Sequence, residues 1–253
     1  MIAPLEPLVS IRTNLGDRAP IVEALIDVQV EPGREISLDE LRVLAHPERF
    51  PIVEPQVELN GELSFSEAGP ALSASQAHRG FFLRSSSHPF VVQVRPNGMT
   101  VSRLAPYSSW DDLASFAAEE WTRFEQLVAP KAVSRLGLRY INKVVLPAGH
   151  LRLEDWFNTH SQMPEVLGQM SEFLSRAQIQ HPKDPRLMAL VTVGSTPNAT
   201  PGHAFLMDID VWTPALAQSS VSIWEVLPNL RVFKNDIFFG SITDRTLERI
   251  RTS

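Results

Sequence analysis

The sequence predicts an α+β fold, an antiparallel or mixed β-sheet with two long amphipathic helices packed on it, arranged as two loosely similar α+β halves. Three observations lead there. Residues 20–30 alternate apolar and polar side chains with the two-residue period of a half-buried strand. Residues 108–128 carry apolar side chains at the 3.6-residue period of a helix. The order of strands, helix, strand, strands and helix then recurs in the second half, without detectable sequence identity. The grouping is residues 1–19 as an extension, 20–147 as a first half and 148–253 as a second, with one continuous domain as the alternative.

Each element has its own justification. In the first strand Val22, Ala24, Ile26, Val28 and Val30 share one face, with Glu23, Asp27 and Gln29 on the other. A short helix follows at 37–45, where Ser37 and Glu40 have capping-box spacing and Pro47 and Pro51 close the segment. Residues 52–66 and 81–104 read as extended segments, the latter turning at Asn97-Gly98. Ser109 and Asp112 begin the clearest helix, Asp111 and Asp112 suit its positive end, and Ala129-Pro130 stops it. The strand over 132–147 puts Leu136, Leu138, Tyr140, Asn142 and Val144 on one face and Arg135, Arg139 and Lys143 on the other. An irregular or helical stretch at 152–171 leads to strands near 172–181, 186–195 and 203–212. A last helix spans about 219–239, with Pro228 either kinking it or marking its true first turn and Gly240 as its left-handed cap.

Composition narrows the functional classes. The formal net charge of −6 supplies no global field to attract nucleic acid. The absence of cysteine removes disulfides, thiolate nucleophiles and thiolate metal sites. The N-terminal residues lack the pattern of a signal peptide, and no stretch is apolar enough to span a bilayer. The expectation is a cytoplasmic protein that does not enter membranes.

Four stretches together, "PIVEALIDVQV", "RLGLRYINKVVLP", "FLMDIDVW" and "KNDIFFGSITD", resemble the TIGR04255 family of sporadically distributed prokaryotic proteins. The resemblance runs from Pro20 to Asp244. It implies a cytoplasmic protein of about this length, scattered as mobile or defence-linked genes are, and no established activity. It also implies a histidine three residues before Lys234-Asn235, where this chain has Arg231.

The candidate chemistry is sparse. Asp208 and Asp210 share a strand face at about 6–7 Å, a spacing that suits a divalent cation or an acid and a base. Cross-strand ion pairs with Arg135, Arg139 and Lys143 are the stronger reading. Those cations, joined by Arg103 and Tyr107, also define a phosphate or single-strand groove with Tyr107 or Trp110 as a stacking platform. Lys234, Asn235 and Thr243 border a third candidate surface for a ligand, a partner or self-association. No Gly-x-Ser-x-Gly elbow, His-Glu-x-x-His pair or Gly-rich phosphate loop is present, so no catalytic residue, metal ligand or cofactor is assigned.

The leading expectation is a non-enzymatic protein-interaction module of the antitoxin, immunity or defence-regulator kind, its partner a protein encoded nearby, with homodimerisation a further expectation. A nucleotide- or small-molecule-binding protein or hydrolase with a charged cleft is the alternative. An RNA or single-stranded DNA binder is the third.

Overall fold

The structure is a computed structural model describing residues 4–9, 15–66, 69–149, 152–160, 172–196, 202–216 and 222–252. Its first strand, β1 (Ile21–Glu31), buries Ala24, Ile26, Val28 and Val30 of the apolar set predicted by its alternation, and leaves Val22 half-buried. A four-residue helix, α1 (Leu38–Leu41), carries the full Ser37–Glu40 capping box. Two long strands, β2 (Ile52–Ser66) and β3 (Gly69–Arg84), form one hairpin, followed by β4 (Phe90–Arg95) and β5 (Gly98–Leu104). Helix α2 (Trp110–Val128) starts at Ser109, whose hydroxyl accepts the Asp112 N–H, and ends at Ala129 in the left-handed conformation. Strand β6 (Ala132–Leu146) returns to the sheet centre. Strands β7 (Leu174–Gln180), β8 (Met188–Thr196) and β9 (His203–Leu216) then precede helices α3 (Ile223–Ser241) and α4 (Asp244–Thr252).

The strands make one sheet in the order β2-β3-β4-β5-β1-β6-β9-β8-β7. Every described pairing is antiparallel. Strands β1 and β6 lie side by side at its centre. Each is flanked by the last strand of the meander that follows it, and each meander ends in a helix.

This corrects the expected architecture of two long helices on an antiparallel or mixed sheet. Among the described residues there are nine antiparallel strands and four helices, of which the longest have 19 residues. Two physical causes account for the difference. Residues 52–84 pair with each other over nearly their whole length, so separate extended runs become one continuous hairpin. At the C-terminal end, Gly240 is not a left-handed cap, because the end of α3 is satisfied from elsewhere. The Asn158 amide donates to the Gly240 and Ile242 carbonyls, each at 3.0 Å. The chain restarts as α4 because the Thr243 hydroxyl accepts the Thr246 N–H at 3.3 Å.

Both 19-residue helices lie on one face of the sheet. Ala24 pairs in register with Arg103 and Tyr140, so these three residues mark one row on that face. Arg103 reaches Asp112 of α2 at 2.9 Å, and Lys234 of α3 lies 4.0 Å from the centre of the Tyr140 ring. Under α2 the side chains of Leu113, Ala117, Phe124 and Val128 are fully buried. Burial of a side chain the size of Phe124 stabilises by about 1.5–3 kcal/mol.

Buried among the apolar residues of α2 is Glu120, held by Arg49 at 2.8 Å and Arg123 at 3.0 Å. Burial pushes its carboxyl above the ordinary value of 4.5, against the pull of Arg49 and Arg123. A raised folded-state value makes a contribution to stability that is fully present below 4.5 and is lost as pH rises through the raised value. Glu120→Gln removes that titration. The melting temperature of the variant relative to the parent should therefore climb as pH increases across this window, in thermal scans at matched salt. A difference independent of pH would place the Glu120 carboxylate in a fully compensated site.

Candidate functional site

The face of the sheet away from the helices carries a band of charge across its centre. Strands β6 and β9 pair directly, with Arg139 opposite Asp210 and Ile141 opposite Asp208. Arg139 reaches diagonally to Asp208 through two hydrogen bonds, of 2.7 and 2.6 Å. Arg135 bonds both Asp210 oxygens at 2.9 and 2.8 Å, and Asp27 of β1 at 2.8 Å. Asp27, only 8% exposed, also accepts from Arg95 at 3.0 Å and from the Thr100 hydroxyl at 2.6 Å.

Gly137 makes the Arg135 arrangement possible. It lies opposite Asp27, and a Cβ there would stand 2.4 Å from an Arg135 terminal nitrogen, so the guanidinium crosses the strand where a side chain is missing. Of the cross-strand ion pairs expected from sequence, those of Arg135 and Arg139 are present and that of Lys143 is not among the described residues, while the band reaches further, to Asp27 and Arg95. Burial pushes the Asp210 carboxyl up despite Arg135, and the hydrogen bonds that Arg139 donates to the Asp208 carboxylate raise Arg139. Lys143 is exposed on the same face and makes no ion pair among the described residues.

Arg103 and Tyr107 do not join this band, because they lie on the helix-covered side. Arg103 is 8% exposed, sits 4.8 Å from the centre of the Phe90 ring and bonds Asp112. The Tyr107 and Tyr140 hydroxyls share a hydrogen bond at 3.0 Å. Burial raises both phenols, Tyr140 well above its ordinary value of 10.0, so both are neutral near neutral pH. Lys234 covers Tyr140 and Arg231 covers Trp110 at 5.3 Å, and together they seal the junction between α2 and α3. Asn235 is half-buried on α3. The sequence-derived groups are thus split: Arg135, Arg139, Lys143, Asp208 and Asp210 share the open sheet face, Arg103, Tyr107 and Lys234 lie on the helix-covered side, and Thr243 lies beyond the end of α3.

Thr243 borders a hollow of about 390 Å³ lined by Val9, Asn158, Phe239, Gly240, Ile242, Asp244 and Leu247. Its hydroxyl donates to the Asp155 carbonyl at 2.8 Å, tying the segment before β7 to the α3–α4 turn. Sequence reasoning missed the residues beside it. Asn229 and Asp236, each 4% exposed, sit seven positions apart on α3 and accept backbone N–H groups from the Pro4–Val9 segment. The available signal was an amide and an acid side chain two helical turns apart, in line with the apolar positions of α3.

A projecting ribbon is the second missed feature. Strand β4 pairs with β3 only over Phe81–Arg84, whereas β2 and β3 pair from Ile52 and Arg84 out to Ser66 and Gly69. From Gly80 outward the hairpin has no third strand among the described residues. At roughly 3.3 Å per residue, that is about 35 Å of extended chain. Among the described residues no cluster of three His, Asp or Glu could hold a metal ion, and no helix is long and apolar enough to cross a membrane. No family model, curated protein or solved structure matches the chain.

Proposed function

We propose that the chain is a non-enzymatic protein-interaction module, of the antitoxin, immunity or regulator kind, that engages a protein partner through the β2–β3 ribbon. The observation that carries this reading is the ribbon's length beyond the last strand able to support it. A two-stranded hairpin is marginal in water by itself, and three strands or a packed face are needed for independent stability. Its outer backbone edges offer unpaired donors and acceptors, which a partner strand or surface can satisfy. The charged band favours the same class, since Arg135 and Arg139 already spend their donors on Asp27, Asp208 and Asp210.

The test uses tagged full-length chain and a variant in which residues 61–74 are replaced by a two-residue Asn-Gly turn. Asn60 and Ser75 face each other in register, so the cut preserves the pairing below it. Affinity purification from native extract, with proteomics and nucleic-acid analysis of the same eluate, should recover a stoichiometric protein with the parent and lose it with the shortened variant. Recovery of the chain alone, of a small molecule, or of a partner indifferent to the shortening would reject the ribbon reading.

A further inference from the structure

The two edges of the sheet are β2 and β7, and they are finished differently. The root of β2 carries the devices that keep an edge from pairing: Pro55, a bulge between Gln56 and Val57, and Glu54 and Glu58 held by Arg84 and Arg79. Strand β7 carries none of them. Leu174–Gln180 contains no proline and a single charge, Arg176, and it pairs with β8 in unbroken register. All of its residues but Ser175 are exposed.

Register shows which backbone groups of β7 are left over. The His181 N–H donates to the Leu187 carbonyl and the Ser195 N–H to the Phe173 carbonyl, at the two ends of the ladder that pairs Ala177 with Val191. Odd-numbered residues therefore turn their N–H and C=O toward β8, and Leu174, Arg176, Gln178 and Gln180 turn theirs outward. Among the described residues no strand pairs with that side. Leu174 leans over Gly194, where an added Cβ would meet its Cδ1 at 3.0 Å, and is still 73% exposed. Arg176 makes no ion pair among the described residues, and the nearest acid across Thr192, Asp208, is held by Arg139.

We propose that the outer edge of β7 is a docking site for an extended segment of a partner protein, which adds as a further antiparallel strand and places an acidic side chain against Arg176. Only an extended backbone repeats its donors and acceptors at the two-residue interval of about 6.6 Å that this row presents. Antiparallel addition continues the pairing of the whole sheet. The charge of the occupant follows from Arg176, the one charge on the strand and one without a carboxylate beside it. An apolar side chain facing Leu174 completes the pattern, so that acid and apolar residue stand two positions apart on one face. The site lies at the opposite edge from the β2–β3 ribbon and is independent of it.

The probe is an end-blocked peptide, Thr-Val-Thr-Val-Glu-Thr-Ile, whose Glu falls opposite Arg176 and whose Ile falls opposite Leu174 when it lies antiparallel along Leu174–Gln180. The full chain is titrated with it and followed by amide hydrogen exchange and by the anisotropy of a labelled peptide. Binding should slow exchange at the outward Arg176, Gln178 and Gln180 amides and leave Ser175, Ala177 and Ile179 as they were. Replacing the peptide Glu by Lys should weaken binding about fivefold, the scale of an exposed ion pair, and Arg176→Glu should restore the Lys peptide. Gln178→Pro should abolish binding, because it removes an outward N–H and spares the β7–β8 ladder. Should Gln178→Pro fail to fold, the charge exchange at Arg176 decides alone. No binding, protection away from β7, or an affinity indifferent to the charge exchange overturns the proposal. Protection of the outward amides that grows with protein concentration in the absence of peptide would place a second copy on the edge, and overturns it as well.

Discussion

Asp27→Asn is expected to lower stability by about 3 kcal/mol, near the lower end of the range for breaking a buried pair by removing one partner. The substitution keeps shape and removes charge. It leaves Arg95 and Arg135 facing an amide in a site where Asp27 is only 8% exposed, with Thr100 and Gln29 directed at the same oxygens. Arg135 keeps Asp210, which limits the loss. For a chain of this size the melting temperature should fall by roughly 10 °C. Chemical denaturation at two salt concentrations separates the causes. A loss below about 1 kcal/mol that fades with salt would show that the band behaves as an ordinary solvated surface pair. Arg139→Ala is the natural comparison, since Arg139 is more exposed and, among the described residues, pairs with Asp208 alone, and its effect should be smaller.

The second large effect is expected at Phe157. This side chain is fully buried, lies 5.2 Å from Phe205 of β9 by ring centres, and belongs to the residue that bridges to Ile242. Around it, Asn158 closes the end of α3 and the Trp156 carbonyl receives the Thr246 hydroxyl and the Thr243 N–H. Phe157→Ala should cost about 3–5 kcal/mol, since it opens a cavity where several elements converge. Hydrogen exchange should show the loss concentrated in α4 and the end of α3. Uniform loss of protection over both arms of the sheet would instead mean that this corner unfolds only with the whole molecule.

How much of this was legible in the sequence depended on the range of the interactions. Strand β1 and helix α2 are written in local periods and in the cap at Ser109, and the residues expected on the buried faces are there. The ion pairs of β6 and β9 were legible as complementary charges at strand spacing, needing only that the strands be neighbours. Asp27 as the hub was not, because nothing local joins β1 to Arg95 and Arg135. The placement of Arg103 with Arg135 failed for a similar reason. Both are strand cations, and only the register through Ala24 and Gly137 puts them on opposite faces. The cap at Gly240 was misread because a distant side chain, Asn158, satisfies carbonyls that a local rule assigns to a glycine turn. Asn229 and Asp236 were passed over because their partners lie more than two hundred residues away in the chain.

The central seam between β1 and β6 has a consequence for how the molecule is made. Most other strand neighbours come from adjacent segments, so each meander can form from contacts that close short loops. The seam brings Ala24 into register with Tyr140, and closing so long a loop is entropically slow. During synthesis the first arm therefore emerges with one flank of β1 unfilled, a bare strand edge waiting for β6. Sequence changes in β6 should therefore be felt first in refolding yield.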